Sequence, residues 1–180
     1  MTKSLLVFSL LFLVNACTRN DWVTYPINEH ITVQLPSPPK AANLQKQKGL
    51  PEVPAVALQH LQAFASSDDY GAYTILVNPT DSSSVLPRDS IYNAGIRDVL
   101  PAQQGRLLTR TTFSTPAGNG VEALLDVVPP NIGMHVRMGV RAVMVGQQSY
   151  VFAFVPYAET DSSLANICRR RFFDSIVVKL

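Results

Sequence analysis

Two groups of polar side chains in the C-terminal half have types and spacings that could do chemistry. The first group, in residues 134–145, comprises His135, Arg137 and Arg141. The second group, in residues 121–128, comprises Glu122 and Asp126. Members of each group are two or four positions apart, so on a β-strand each group lies on one face. If the two strands pair, we expect cross-strand ion pairs or a polar sheet face that binds an anionic ligand or partner.

Motifs of the common catalytic classes do not occur in the sequence. It contains no GxSxG, Walker, GxGxxG or HExxH pattern. His30, His60 and His135 lie far apart along the chain, without the spacing of zinc ligands. Asp68-Asp69 precedes a Tyr-Gly pair, which is typical of a turn rather than of a calcium loop. We therefore expect no catalytic residue, no metal and no cofactor.

Length and charge limit the classes of protein to consider. The chain has 180 residues, enough for one ordinary domain. The 15 basic and 13 acidic residues give a formal net charge of +2, so electrostatics offers no reason to expect a nucleic-acid partner. The basic cluster, Arg169–Arg171, falls at the end of a predicted helix, where cations suit the helix dipole, although it could also contact lipid headgroups.

The N-terminus has the organisation of an export signal. Lys3 precedes a mostly apolar run, residues 5–14, which is too short to span a bilayer as a helix. The run ends in Val14-Asn15-Ala16-Cys17, which resembles a bacterial lipobox. The resemblance implies that residues 1–16 are a cleaved signal-peptide helix and that Cys17 carries lipid. An ordinary secretory peptide with an incidental cysteine is the alternative.

Lipidation of Cys17 would determine the location of the protein. Long acyl chains contribute about 0.8 kcal/mol per buried methylene, so two or three of them hold a protein on a membrane durably. We expect a membrane-anchored lipoprotein of the bacterial cell envelope, with residues 17–29 as lipidated N-terminus and linker. Thr18 is not an acidic retention signal, which favours the outer membrane in a Gram-negative cell.

The second cysteine, Cys168, has no partner for a disulfide if Cys17 is acylated. It lies in a helix-like segment, LANICRRRFFDS. A buried apolar role is favoured over a reactive thiol activated by the neighbouring arginines, because no histidine–acid pattern accompanies it.

Periodicity predicts the elements that must position these side chains. We expect strands at 30–36, 72–79, 105–115, 121–128, 134–145, 149–156 and 174–180. One helix is expected to start at Pro87 or Asp89 and end near residue 99. A second follows Asp161 or Ser162, with an apolar stripe of Leu164, Ile167, Cys168 and Phe172. Residues 55–67 fit either a helix or a strand.

Several of these segments resemble a known bacterial module. Residues 31–39, ITVQLPSPP, and 72–77, AYTILV, are similar to its opening strands, and 141–156 with 170–180 to its closing strands and helix. The resemblance is to PsbP-like, or Mog-like, domains. It implies an α+β fold over residues 30–180, in which two helices flank an antiparallel sheet of six to seven strands.

Three functional hypotheses follow. The first is a non-catalytic accessory or binding module that is anchored to membrane lipid through Cys17 and docks an unknown envelope protein, since PsbP-like modules commonly act as assembly or docking factors. The second is a small envelope enzyme with a cleft built from loops 36–54 and 80–90. The third is a structural envelope protein that oligomerises through a sheet edge.

Overall fold

The computed structural model describes residues 22–41, 61–79, 87–99, 105–128 and 133–180. The strands are β1 (Val23–Pro26), β2 (Ile31–Leu35), β3 (Lys40–Ala41), β4 (Gln62–Ser67), β5 (Gly71–Pro79), β6 (Gly105–Thr115), β7 (Gly118–Val127), β8 (Val136–Val145), β9 (Gln148–Pro156) and β10 (Val177–Val178). The helices are α1 (Arg88–Val99) and α2 (Ser162–Asp174). No helix of these described ranges is long and apolar enough to cross a bilayer.

The strands form two antiparallel sheets. The larger has seven strands in the order β3-β4-β5-β9-β8-β7-β6, and the smaller has three in the order β1-β2-β10. β6 to β9 are sequential neighbours joined by hairpins, whereas β9 pairs with the distant β5. The predicted α+β fold, with two helices and an antiparallel sheet of six to seven strands, is confirmed.

Each face of the large sheet carries its own core. On one face the fully buried aromatic side chains Tyr73, Phe152 and Phe154 pack against α2 and the small sheet. On the other face Leu125, Val140 and their neighbours pack against Tyr92 and Ile96 of α1. Alternating side chains along the strands therefore feed two apolar layers, as in a sheet that is covered on both sides.

α2 is fixed on the sheet by its cap and by three buried side chains. The Asp161 carboxylate accepts hydrogen bonds from the backbone N–H groups of Ser163 and Leu164, which satisfies donors that the first turn leaves unpaired. The buried side chains are Cys168, Phe172 and Phe173. The predicted stripe is wrong at Ile167, which is 46% exposed, because the helix turns Phe173 toward the sheet instead. Cys168 lies in the core.

The N-terminal boundary of the domain differs from the expected residue 30. β1 pairs with β2 over its whole length, so residues 23–26 belong to the fold and not to a linker. Trp22 packs edge-on against Tyr73, with 5.2 Å between ring centroids, and Tyr25 contacts the same core. The composition of this segment resembles that of a spacer, but strand pairing and the packing of its aromatic side chains fix it on the domain. The expected signal peptide and Cys17 lie outside the described residues.

Candidate functional site

The two polar groups meet on the face of β7 and β8 that faces α2. The strand register places Glu122 opposite Arg141 and Asp126 opposite Arg137. Glu122 and Arg141 form an ion pair, in which Arg141 Nη2 lies 2.6 Å and Nε 3.1 Å from Glu122 Oε2. Of the two pairs that the register sets directly opposite each other, Glu122 and Arg141 form an ion pair.

Arg141 makes structural contacts inside the domain and is not placed to bind a ligand. Its guanidinium lies between the rings of Phe113 and Phe173, at 4.7 Å and 5.1 Å from their centroids. It also donates a 2.6 Å hydrogen bond to the carbonyl oxygen of Phe173. With its side chain only 15% exposed, Arg141 links β6 and β8 to the end of α2 through cation–π and hydrogen-bond contacts.

A second arginine, Arg169 of α2, shares the same carboxylate. Its Nη1 lies 3.3 Å from Glu122 Oε1, and its aliphatic stem crosses Gly139 of β8, where an added Cβ would lie 2.5 Å from Arg169 Cδ. The glycine thus permits close approach of helix and sheet. The buried Nε of Arg169 has no acceptor among the described residues. The sequence pattern placed this arginine at a helix end and did not connect it with Glu122.

Asp126 forms a separate cluster at the other end of the face. Its two oxygens lie 3.0 Å from Arg106 Nε and 3.0 Å from His135 Nδ1. The hydrogen bond with His135, followed by that with Arg106, lowers the pKa of Asp126. Because both contacts come from neighbours other than Arg137, the arginine opposite Asp126 makes no ion pair among the described residues.

A cleft of about 190 Å³ opens between β8 and α2 beside these clusters; we call it the β8–α2 cleft. Its basic side chains are His135, Arg137 and Arg169. Its apolar side chains include Leu124, Phe154 and Pro156, and its hydroxyl and amide groups come from Thr160, Ser162 and Asn166. None of the lining residues is acidic. The arrangement can attract an anion and bury a small apolar group next to it.

A metal site and the loop-built enzyme cleft are two further kinds of site that bear on function. No group of three or more His, Cys, Asp or Glu side chains is placed to hold a metal ion within the described ranges. The loops expected to build an enzyme cleft lie mostly outside those ranges, at residues 42–54 and 80–86. The sequence indicated only the strand side of the β8–α2 cleft, since the helix side, from Thr160 to Arg169, carries no motif.

Comparison with known proteins supports the fold alone. No family model matches the chain, and no curated protein sequence matches it. The solution structure of cyanobacterial PsbP (CyanoP) from Synechocystis sp. PCC 6803 is similar, with a TM-score of 0.56 and 10% identity over 89% of this chain and 94% of that one. The crystal structure of PA94, a protein of unknown function from Pseudomonas aeruginosa, has a TM-score of 0.50 and 8% identity over 88% and 98% of the two chains. The chain therefore has a PsbP-like fold.

Proposed function

We propose that this PsbP-like domain is a non-catalytic accessory or binding module of the bacterial cell envelope, anchored to the membrane by lipid on Cys17. The observation that carries the proposal is that Trp22, five positions after Cys17, already packs on the core at Tyr73 and is followed directly by β1, which pairs with β2. Five residues span at most about 18 Å. Acylation of Cys17 would therefore hold the domain directly at the bilayer surface.

The surroundings of Trp22 suit this location. The guanidinium of Arg171 lies over the Trp22 ring, 4.7 Å from its centroid, and Arg170 beside it is exposed. The end of α2 thus places basic groups where the chain enters the fold. Each arginine near an anionic membrane surface contributes about 1 kcal/mol of attraction, which would orient the anchored domain with this end toward the lipid.

The accessory role follows from the type of module and from the shape of the β8–α2 cleft. PsbP-like modules commonly act as assembly or docking factors, and the cleft offers two arginines, a histidine and hydroxyl and amide groups that suit the binding of a ligand or partner. A binding role in the envelope is therefore the function that the site supports best.

Metabolic labelling with a palmitate analogue tests the anchor. We expect label and membrane fractionation for the wild type, neither for Cys17→Ala, and both for the matched control Cys168→Ala. Absence of label from the wild type would refute the lipoprotein proposal. Cross-linking in intact envelopes, followed by pull-down, tests the docking role: a discrete partner that is lost on Arg137→Glu supports it, and the absence of any cross-link contradicts it.

A second candidate function is self-association through a sheet edge, favoured by β6. This strand of 11 residues pairs only with β7 among the described elements. It also exposes Leu107 by 48% and Leu108 by 36%. A second copy could pair antiparallel with this edge. Sedimentation of the wild type and of Leu107→Lys decides the matter, since dimers that the lysine abolishes support the idea and a wild-type monomer at all concentrations excludes it.

A further inference from the structure

We infer that the β8–α2 cleft binds a small carboxylate with an apolar body, either a free acid or the C-terminus of a partner chain. The inference concerns the ligand of the cleft and does not depend on the lipid anchor. It rests on three properties of the cleft: an arginine without an ion pair, an acid-free lining, and an apolar floor of limited volume.

Arg137 supplies the principal cation. It is exposed on β8, and the carboxylate opposite it, Asp126, is already bonded to Arg106 and His135. Among the described residues Arg137 therefore has no carboxylate partner. A planar guanidinium binds a carboxylate through two parallel hydrogen bonds, so an incoming acid can occupy a position that the sheet leaves open.

Arg169 adds positive potential at the opposite wall. Two guanidiniums, those of Arg141 and Arg169, share the single carboxylate of Glu122, so this cluster does not cancel its own charge. The other carboxylate near Arg141, that of Asp174, is 3.7 Å away and 72% exposed, where solvent screens it. The cleft therefore keeps an excess of positive charge on both walls.

The volume and floor of the cleft select the rest of the ligand. The half-buried Leu124 and Ala165 and the partly exposed ring of Tyr157 give it apolar surface above the buried Phe154, and burial of such surface contributes about 25 cal/mol per Å². At about 190 Å³ the cleft is smaller than the roughly 300–1,000 Å³ typical of drug-sized ligands. It fits a short aliphatic or aromatic acid. A bare phosphate would leave the apolar floor unused.

The assignment is tested by isothermal titration calorimetry, in which hexanoate is titrated into the detergent-solubilised full-length protein. We expect saturable binding of hexanoate and at least tenfold weaker binding of hexanol, which lacks the charge, and of inorganic phosphate, which lacks the apolar body. Arg137→Gln should weaken hexanoate binding at least tenfold, because a charge-assisted hydrogen bond is lost. Arg110→Gln, which removes an exposed arginine paired with Asp89, is the matched control and should bind normally.

A second arm identifies the source of the carboxylate. A short peptide ending in leucine is titrated with a free and with an amidated C-terminus. Tighter binding of the free peptide than of hexanoate indicates a partner's C-terminus, whereas the reverse order indicates a free acid. The assignment is overturned if neither acid saturates the protein, or if Arg137→Gln, shown to be folded by its unchanged melting temperature, binds hexanoate like the wild type.

Discussion

Glu122 of β7 receives two arginines from different layers of the molecule, and its closest contact is with Arg141. Arg141 Nη2 lies 2.6 Å from one carboxylate oxygen, and Arg169 Nη1 of α2 lies 3.3 Å from the other. The carboxylate therefore joins the sheet to the helix that covers it. Glu122 is best understood as a structural element on which the wall of the β8–α2 cleft depends.

Replacing Glu122 with glutamine should destabilise the fold by about 2 kcal/mol, because two partly buried guanidiniums then face each other without a counter-charge. Urea unfolding followed by circular dichroism measures the change. Asp174→Asn is the matched control and should change the stability by less than about 0.5 kcal/mol, since this exposed carboxylate is only weakly coupled to Arg141. Equal effects of the two substitutions would contradict the joining role of Glu122.

Gly139→Ala should destabilise the protein by about 1–3 kcal/mol, because the new methyl group would overlap the Arg169 stem, 2.5 Å away, and approach the Phe173 ring at 3.1 Å. Gly139→Ala should lower the stability clearly less when it is introduced into the Arg169→Ala variant, which lacks the overlapping stem. A double-mutant cycle in urea unfolding gives the coupling energy. A coupling of zero would show that Gly139 does not set the approach of α2.

The stability conferred by Asp126 should depend on pH. The hydrogen bond with His135 and then that with Arg106 lower the pKa of Asp126 in the folded state. The ionised carboxylate therefore stabilises the folded protein fully above the unfolded-state pKa, near 4, and this stabilisation is lost as pH falls through the folded-state pKa. The free energy of unfolding should be larger for the wild type than for Asp126→Asn at neutral pH, and this difference should disappear on acidification. Titration of His135→Ala by NMR should show a higher Asp126 pKa.

Trp22→Ala should cost about 2 kcal/mol, because the indole ring packs on Tyr73 and under the guanidinium of Arg171. Val23→Ala, at a side chain that is 50% exposed, is the control and should be nearly neutral. Thermal unfolding of both variants distinguishes a domain that begins at Trp22 from one that begins at residue 30. Equal melting temperatures for Trp22→Ala and wild type would restore the linker interpretation.

The sequence allowed prediction of seven of the ten described strands and of one ion pair, because alternation along a strand is a local property; the short β1 and β3 show no such alternation, and residues 55–67, which contain β4, fitted either a helix or a strand. It placed Glu122 and Arg141 on facing strands, and the register indeed sets them opposite each other. It could not indicate that Arg169 would reach the same carboxylate, since this depends on how a helix lies across the sheet. Asp126 has one partner, His135, from the polar group that the sequence predicted, and a second, Arg106, from the third strand β6, which no pattern in β7 or β8 could indicate.

The connectivity of the sheets has a kinetic consequence. β2 pairs with β10 only through residues 177–178, and β5 pairs with the central strand β9, which follows the whole β6–β8 meander in the sequence. Contacts so distant in sequence form slowly, and the core layer that faces α2 is completed only when residues 162–178 are available to pack on it. A nascent chain with this topology therefore completes that core layer only after its last helix and strand have left the ribosome.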